Sequence, residues 1–307
     1  MNSVVPGLHH VTAISGPPQA NLDFHVGTLG RRLVKRTVNF DDPGTYHLYY
    51  GDPQAAPGSI MTFFPFVDAG PGRAGAGMAS AVAYAAADLD AEMMRLAEVA
   101  IDFEGPFERM GARGIALSDP DGLRVELIEA PEADGGFHSV TLWLDDPEAT
   151  AQVLEVMGYG REGVEEASTG GTGGAERRAR YVSAAPGRGA IVDLMTSDAP
   201  SIGRPGAGTI HHVAFRAPSP EDQRVWQARL REAGLEVTPV IDRQYFDAIY
   251  FRTPGGVLFE IATDPPGFAT DEDPAHLGEA LKLPPRYEGM RERLERTLPT
   301  LKLPRAS

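Results

Sequence analysis

The 307-residue chain contains no cysteine. Disulfides, thiolate-bound zinc, iron–sulfur clusters and a cysteine nucleophile are thereby excluded, so a bound metal would have to rest on His, Asp, Glu or Tyr. No apolar run approaches the roughly 18 residues that span a bilayer, and the opening MNSVVPGLHHVT has no basic segment leading into an apolar one. Neither a membrane helix nor a signal peptide is expected. Basic residues are scarce: 28 Lys and Arg stand against 43 Asp and Glu, a formal charge of −15. That balance speaks against nucleic acid or an anionic membrane as partner. A cytoplasmic globular protein is the expectation, long enough for one large domain or two of about 150 residues.

What is present is more specific. Four of the eight histidines fall in two HH pairs, His9-His10 and His211-His212. Laid on itself, the chain shows four segments that open with a short apolar strand: LHHVTA at residue 8, ASAVAY at 79, FHSVTL at 137 and IHHVAF at 210. Each leads into a short amphipathic helix. The clearest runs from Ser219 and Pro220, an N-cap followed by proline in the first turn, to a stop at Gly234. Others are expected at 21–29, 90–100 and 147–158. Each unit closes with a strand after a PG- or DG-type turn: GSIMTF at 58, GLRVEL at 122, GAIVDL at 189 and GVLFEI at 256. The fold class is therefore α+β, with four βαβββ modules. They divide into 1–132, 133–265 and a C-terminal tail, 266–307. The Gly/Ser/Thr-rich stretch 165–176 reads as a mobile hairpin tip.

Strand parity selects candidate ligands, because alternate residues share a face. Val213 and Phe215 belong to the core, which leaves His212 on the opposite, concave face; by the same argument His10 lies with Thr12. Glu260 sits inside an apolar final strand, where a carboxylate needs a cation or hydrogen-bond donors. Across the repeat the Glu260 position holds Thr62, Glu126 and Asp193, and the His10/His212 position holds Ala81 and Ser139. Modules 1 and 4 together thus hold three ligands, and modules 2 and 3 only acids. One metal site is expected, in a cup shared by modules 1 and 4. Two histidines and one carboxylate leave positions open for O2 and substrate on Fe(II).

These residues resemble the vicinal oxygen chelate (glyoxalase, bleomycin resistance, extradiol dioxygenase) superfamily, which would make the modules two tandem domains of that type. Within it the sequence is similar to the hydroquinone ring-cleaving dioxygenases. The similarity is carried by GLHHVTAISG, LGRRLVKRTVNFDDPGTYHLYYGD, PGSIMTFFPF, GTIHHVAF, YFDAIYFRTPGGVLFEIATDPPGF and TDEDPAHLGEALKLPP. The resemblance implies Fe(2+) held by His10, His212 and Glu260, with Mn(2+) or another divalent metal able to substitute in a purified sample. It also implies supporting roles for His211, Thr12, Arg243 and Tyr250, the last two orienting substrate and stabilising negative charge. Gln244 stands where the chlorohydroquinone enzymes carry a small residue. Substrates would be O2 and a small aromatic diol, and a homo-oligomer is expected.

Alternatives remain at this point. Asp242 and Asp247 are local ion-pair partners for Arg243, and Tyr250 could be a plain half-buried sheet aromatic. A catechol extradiol dioxygenase would carry its triad in the C-terminal half. A glyoxalase-type isomerase or lyase would want a fourth protein ligand where Thr62 stands, and a binding protein would need no triad. In the tail, an apolar stripe at Met290, Leu294 and Leu298 predicts a helix over 288–298. The segment 277–285 is expected to lie across the module 1–module 4 cup, with the helix outside it or against a second subunit.

Overall fold

A computed structural model describes residues 4–168, 175–185, 187–198 and 202–303. The four modules are all present. Module 1 comprises β1 (Leu8–Ser15), α1 (Pro18–Leu22), β2 (Arg32–Val38), β3 (Tyr46–Gly51) and β4 (Ile60–Pro65). Module 2 comprises β5 (Met78–Ala86), α2 (Leu89–Glu98), β6 (Glu104–Arg109), β7 (Ala112–Ser118) and β8 (Arg124–Glu129). Module 3 runs through β9 (Phe137–Trp143), α3 (Glu148–Val156), β10 (Tyr159–Ser168), β11 (Ala175–Ser183) and β12 (Ile191–Ser197). Module 4 holds β13 (Thr209–Ala217), α4 (Pro220–Glu232), β14 (Ile241–Asp242), β15 (Phe246–Arg252) and β16 (Leu258–Pro266). Between β10 and β11, residues 169–174 of the expected mobile tip lie outside the described residues.

The modules follow one another in sequence but pair first with last. One eight-stranded sheet has the order β14-β15-β16-β13-β1-β4-β3-β2, joining modules 4 and 1; the other, β10-β11-β12-β9-β5-β8-β7-β6, joins modules 3 and 2. Within each module the first and last strands are parallel, with the helix crossing over between them. The register reproduces the sequence alignment of the repeat: Thr12 faces Thr62, Ala83 faces Glu126, Thr141 faces Asp193 and Ala214 faces Glu260. The central pair β1 and β13 runs antiparallel with Val11 opposite Val213, both fully buried. The Ser219 hydroxyl caps α4 by accepting from the Asp222 N–H at 3.1 Å, and Asp88 caps α2 through the Ala91 N–H at 2.9 Å.

Two expectations need correction. The first helix begins at Pro18 and widens into a π-turn over Asp23–Thr28, with the Leu29 N–H reaching back to the Phe24 carbonyl at 3.0 Å. The extra residue in the turn lets Phe24 and His25 both point inward. The tail does form a short helix, α5 (Arg291–Thr297), but 277–285 is no cover for the cup. That segment runs along β2, bridging Leu281 to Arg36 and donating the Lys282 N–H to the Arg36 carbonyl at 2.9 Å. Its apolar residues Leu277 and Leu283 are buried against the sheet edge, which the tail thereby closes. Lys35, fully buried, anchors the tail: its ammonium meets Asp271 at 2.6 Å and Glu272, over the ring of Tyr245.

His25 carries a measurable consequence. It is fully buried, stacked at 4.9 Å on Tyr50 and 4.5 Å from Phe63, and neither ring nitrogen has a hydrogen-bond partner. Burial, helped by the nearby Arg31, holds its pKa down to about 3. The unfolded chain therefore binds a proton near pH 6.5 that the folded chain refuses until about pH 3. Through that window stability falls as pH falls, by up to about 1.4 kcal/mol per unit for this one group. His25→Phe should gain on wild type by about 2 kcal/mol between neutral pH and roughly pH 4.5. Urea midpoints at the two pH values test this; parallel losses in both proteins would contradict it.

Candidate metal centre

The sheet of modules 1 and 4 brings the sequence-predicted ligands together from three strands. His10 on β1, His212 on β13 and Glu260 on β16 are all buried, and their ligand atoms lie within 4.8 Å of one another. Glu260 Oε2 is 3.4 Å from His10 Nε2 and 2.9 Å from His212 Nε2. Neighbouring ligands on one metal with bonds of about 2.1 Å stand roughly 3 Å apart, so the spacing fits a shared cation. The carboxylate is fully buried, yet neither of its oxygens accepts a hydrogen bond. Burial opposes its charge, and proton-bearing His10 and His212 edges, or a cation in their place, favour it. Burial also depresses His212, keeping the imidazole neutral as a ligand must be.

The preceding histidine of each pair meets its neighbour ring nitrogen to ring nitrogen. His9 Nδ1 lies 2.9 Å from His10 Nδ1, and His211 Nδ1 lies 2.7 Å from His212 Nδ1. His9, held neutral with a pKa of about 3 chiefly by burial, gives its other N–H to the Thr263 carbonyl. Its Nδ1 is then an acceptor, so His10 donates from Nδ1 and turns the Nε2 lone pair toward Glu260. His9 was not singled out in the sequence, although its repeat equivalence to His211 was the signal.

The site opens into a cavity of about 490 Å³ whose walls include Phe40, Phe64, Phe66 and Phe246. Tyr250 and Arg243 line it as expected, with Arg243 Nε donating to the Tyr250 hydroxyl at 3.1 Å. The acid paired with Arg243 is neither Asp242 nor Asp247 but Asp41 of module 1, at 3.1 Å. Burial pushes the Tyr250 phenol far up, so it stays protonated. His211 lines the cavity at its exposed end. Thr12 lies beneath the surface, its hydroxyl 2.9 Å from that of Thr62. Thr62 is held in turn by His47 Nε2 at 2.8 Å, and His47 Nδ1 meets the Tyr49 hydroxyl at 2.8 Å. His47 and Tyr49 both line the cavity and were missed in the sequence. Gln244 does not reach the described lining; it sits in a turn at φ +70°, a conformation that disfavours large side chains. No tail residue is among the described lining residues either.

The second sheet repeats the frame with different chemistry. Glu126 is gripped by Arg109 and Arg124, and Asp193 by Arg180 at 2.8 and 2.9 Å. Guanidinium groups there supply the positive charge that Glu260 lacks.

Fold and ligand set define a protein of the vicinal oxygen chelate type. The chain belongs to the Glyoxalase/Bleomycin resistance protein/Dioxygenase superfamily, which matches residues 7–127 and 136–261. It is 43% identical over 312 residues, 95% of either chain, to a Bacillus subtilis (strain 168) protein, MhqO, provisionally named a ring-cleaving dioxygenase. It is 34% identical over 325 residues, 96% of either chain, to the chlorohydroquinone/hydroquinone 1,2-dioxygenase of Sphingobium indicum. A crystal structure from Bacillus subtilis, of a protein also provisionally named a dioxygenase, matches with a TM-score of 0.87 at 41% identity, over 98% of this chain and 99% of that one.

If Glu260 is a ligand and not merely an ion-pair partner, its amide should separate metal binding from folding. Fe(II) added anaerobically should raise the Tm of wild type, because a ligand for the native state stabilises it by mass action. Glu260→Gln should lose that rise while the metal-free variant unfolds no earlier than wild type, since no donor to the carboxylate is given up. A full metal-induced rise in the variant would remove Glu260 from the ligand set.

Proposed function

We propose that this protein is an Fe(II)-dependent ring-cleaving dioxygenase that inserts both atoms of O2 into a hydroquinone next to a hydroxyl. The observation that carries the reading is the buried Glu260 carboxylate, with no hydrogen-bond partner within bonding geometry, facing the Nε2 edges of two imidazoles at the floor of an aromatic-walled cavity. His10, His212 and Glu260 would hold the metal. What Fe(II) supplies when bound is open coordination positions for O2 and a phenolate oxygen, and a path for electrons between them.

The chain's own groups do the rest. Phe40, Phe64, Phe66 and Phe246 offer flat apolar faces to an aromatic ring and keep water from it. Tyr250, protonated and with its oxygen accepting from Arg243, stands beside Glu260, and with the carboxylate on a metal its O–H would be free to turn to a substrate oxygen. Arg243 stands behind it as a fixed positive charge where negative charge would develop on the ring oxygens. His9 and His211 keep the ligand imidazoles oriented. The relative named for chlorohydroquinone and hydroquinone, similar over nearly the whole chain, supports a para-diol as substrate class. An isomerase or lyase of the glyoxalase kind loses support because Thr62, in the fourth-ligand position, has its hydroxyl committed to Thr12 and His47.

Anaerobic loading with Fe(II), followed by O2-electrode traces with hydroquinone and with catechol, tests the proposal. Stoichiometric O2 uptake is expected with hydroquinone, with both atoms of isotopically labelled O2 in a ring-opened product. Uptake with catechol alone would overturn the para-diol reading, and none with any phenol would overturn the dioxygenase reading. Arg243→Lys, which keeps the charge but loses the planar fork, should cut kcat more than it raises KM.

A further inference from the structure

The repeat register sets a second tyrosine against the same cavity. Tyr250 on β15 lies opposite Glu260 on β16, and Tyr49 on β3 lies opposite Thr62 on β4, the same position in modules 4 and 1. Both line the cavity. Behind Tyr250 stands Arg243; behind Tyr49 stands His47. Tyr49 is thus the repeat counterpart of Tyr250, with a different group supporting it.

The direction of the hydrogen bonds behind Tyr49 follows from the chain's buried end. The series runs Thr12, Thr62, His47, Tyr49, with oxygen and nitrogen separations of 2.9, 2.8 and 2.8 Å. A neutral imidazole carries one proton and each hydroxyl one, so the three contacts use three of the four donors and leave one over. If Tyr49 donated to His47 Nδ1, the donor left over would be the Thr12 O–H or, with Thr62 accepting from both His47 and Thr12, the Thr62 O–H. Thr12 and Thr62 are both fully buried and outside the described cavity lining, and beyond this series neither has a hydrogen-bond partner among the described residues. A stranded buried donor is costly. In the opposite polarity Thr12 donates to Thr62, Thr62 donates to His47 Nε2, and His47 donates from Nδ1 to the Tyr49 oxygen. The group left over is then the Tyr49 O–H, at the cavity wall.

We infer that Tyr49, its phenol oriented by His47, is a hydrogen-bond donor to one oxygen of a para-dihydroxy substrate, with Tyr250 serving the other. The inference rests on the hydroquinone reading and adds to it the recognition of the second oxygen. Two repeat-related phenols on facing modules match a ligand whose two oxygens lie at opposite ends of a ring. His47, Thr62 and Thr12 are positioning residues, acting through Tyr49. The Thr12 hydroxyl thereby has a role that does not require it to touch substrate.

Two measurements test the inference. Histidine-selective ¹⁵N NMR of the metal-free full-length protein should find the His47 proton on Nδ1; a proton on Nε2 would overturn the polarity and the inference with it. Dissociation constants for hydroquinone and phenol, taken under argon on the Fe(II)-loaded protein, should show Tyr49→Phe binding hydroquinone about tenfold more weakly. Its preference for hydroquinone over phenol should collapse. Equal weakening of both ligands, as a purely structural role predicts, or unchanged hydroquinone binding would also overturn the inference. His47→Asn, whose amide N–H replaces Nδ1–H, should retain more of the preference than His47→Gln, whose amide stands at Nε2; the reverse order counts against it. Failure of the functional reading looks different: wild type would then bind neither hydroquinone nor catechol, whatever the His47 tautomer.

Discussion

A carboxylate buried without a hydrogen-bond donor is the constraint around which the rest of this structure is arranged. Glu260 is fully inaccessible and faces the two Nε2 edges of His10 and His212, with Tyr250 beside it on β15. Leaving such a charge unpaired costs several kcal/mol, so the native state is poised to take up a cation. The three ligand strands, β1, β13 and β16, lie side by side at the centre of their sheet, where pairing on both edges gives the backbone least freedom to move. The outer histidines, His9 and His211, each meet the next ring at Nδ1, and His9 places the proton of His10 on Nδ1.

The second sheet shows how the same frame answers the same problem without a metal. Glu126 and Asp193 occupy the position of Glu260, but the histidine positions hold Ala81 and Ser139, and arginines on β6, β8 and β11 reach the carboxylates. Charge compensation is thus internal to one sheet, while the other leaves its carboxylate open to a cation. The tail contributes at the far edge: Lys35 and the segment beside β2 close a strand that would otherwise offer free backbone groups to another chain.

The parts of this account that were legible in the sequence are those governed by short-range periodicity. Strand parity and the fourfold repeat were enough to put His10, His212 and Glu260 on one face and to exclude Thr62 as a carboxylate ligand. What escaped depended on contacts between distant segments. Arg243 has acids one and four residues away, yet it pairs with Asp41, 202 residues off, because the sheet order places module 1 across the cavity from β15. His47 and Tyr49 sit in YHLYY, where nothing local marks them; only the inter-strand register equates Tyr49 with Tyr250. The tail's apolar residues were recognised correctly as buried, but sequence alone could not say whether they covered the cup or the sheet edge. The first helix widened into a π-turn because the burial of both Phe24 and His25 outweighs regular helical spacing.

X-ray absorption at the iron edge of the anaerobic, Fe(II)-loaded protein, recorded with and without hydroquinone, tests the central claim most directly. The account predicts one iron per chain with two imidazoles and a carboxylate oxygen at about 2.0–2.2 Å, in a spectrum that changes when hydroquinone is added. Iron scattering from a single imidazole or none, or a spectrum indifferent to hydroquinone, would contradict it.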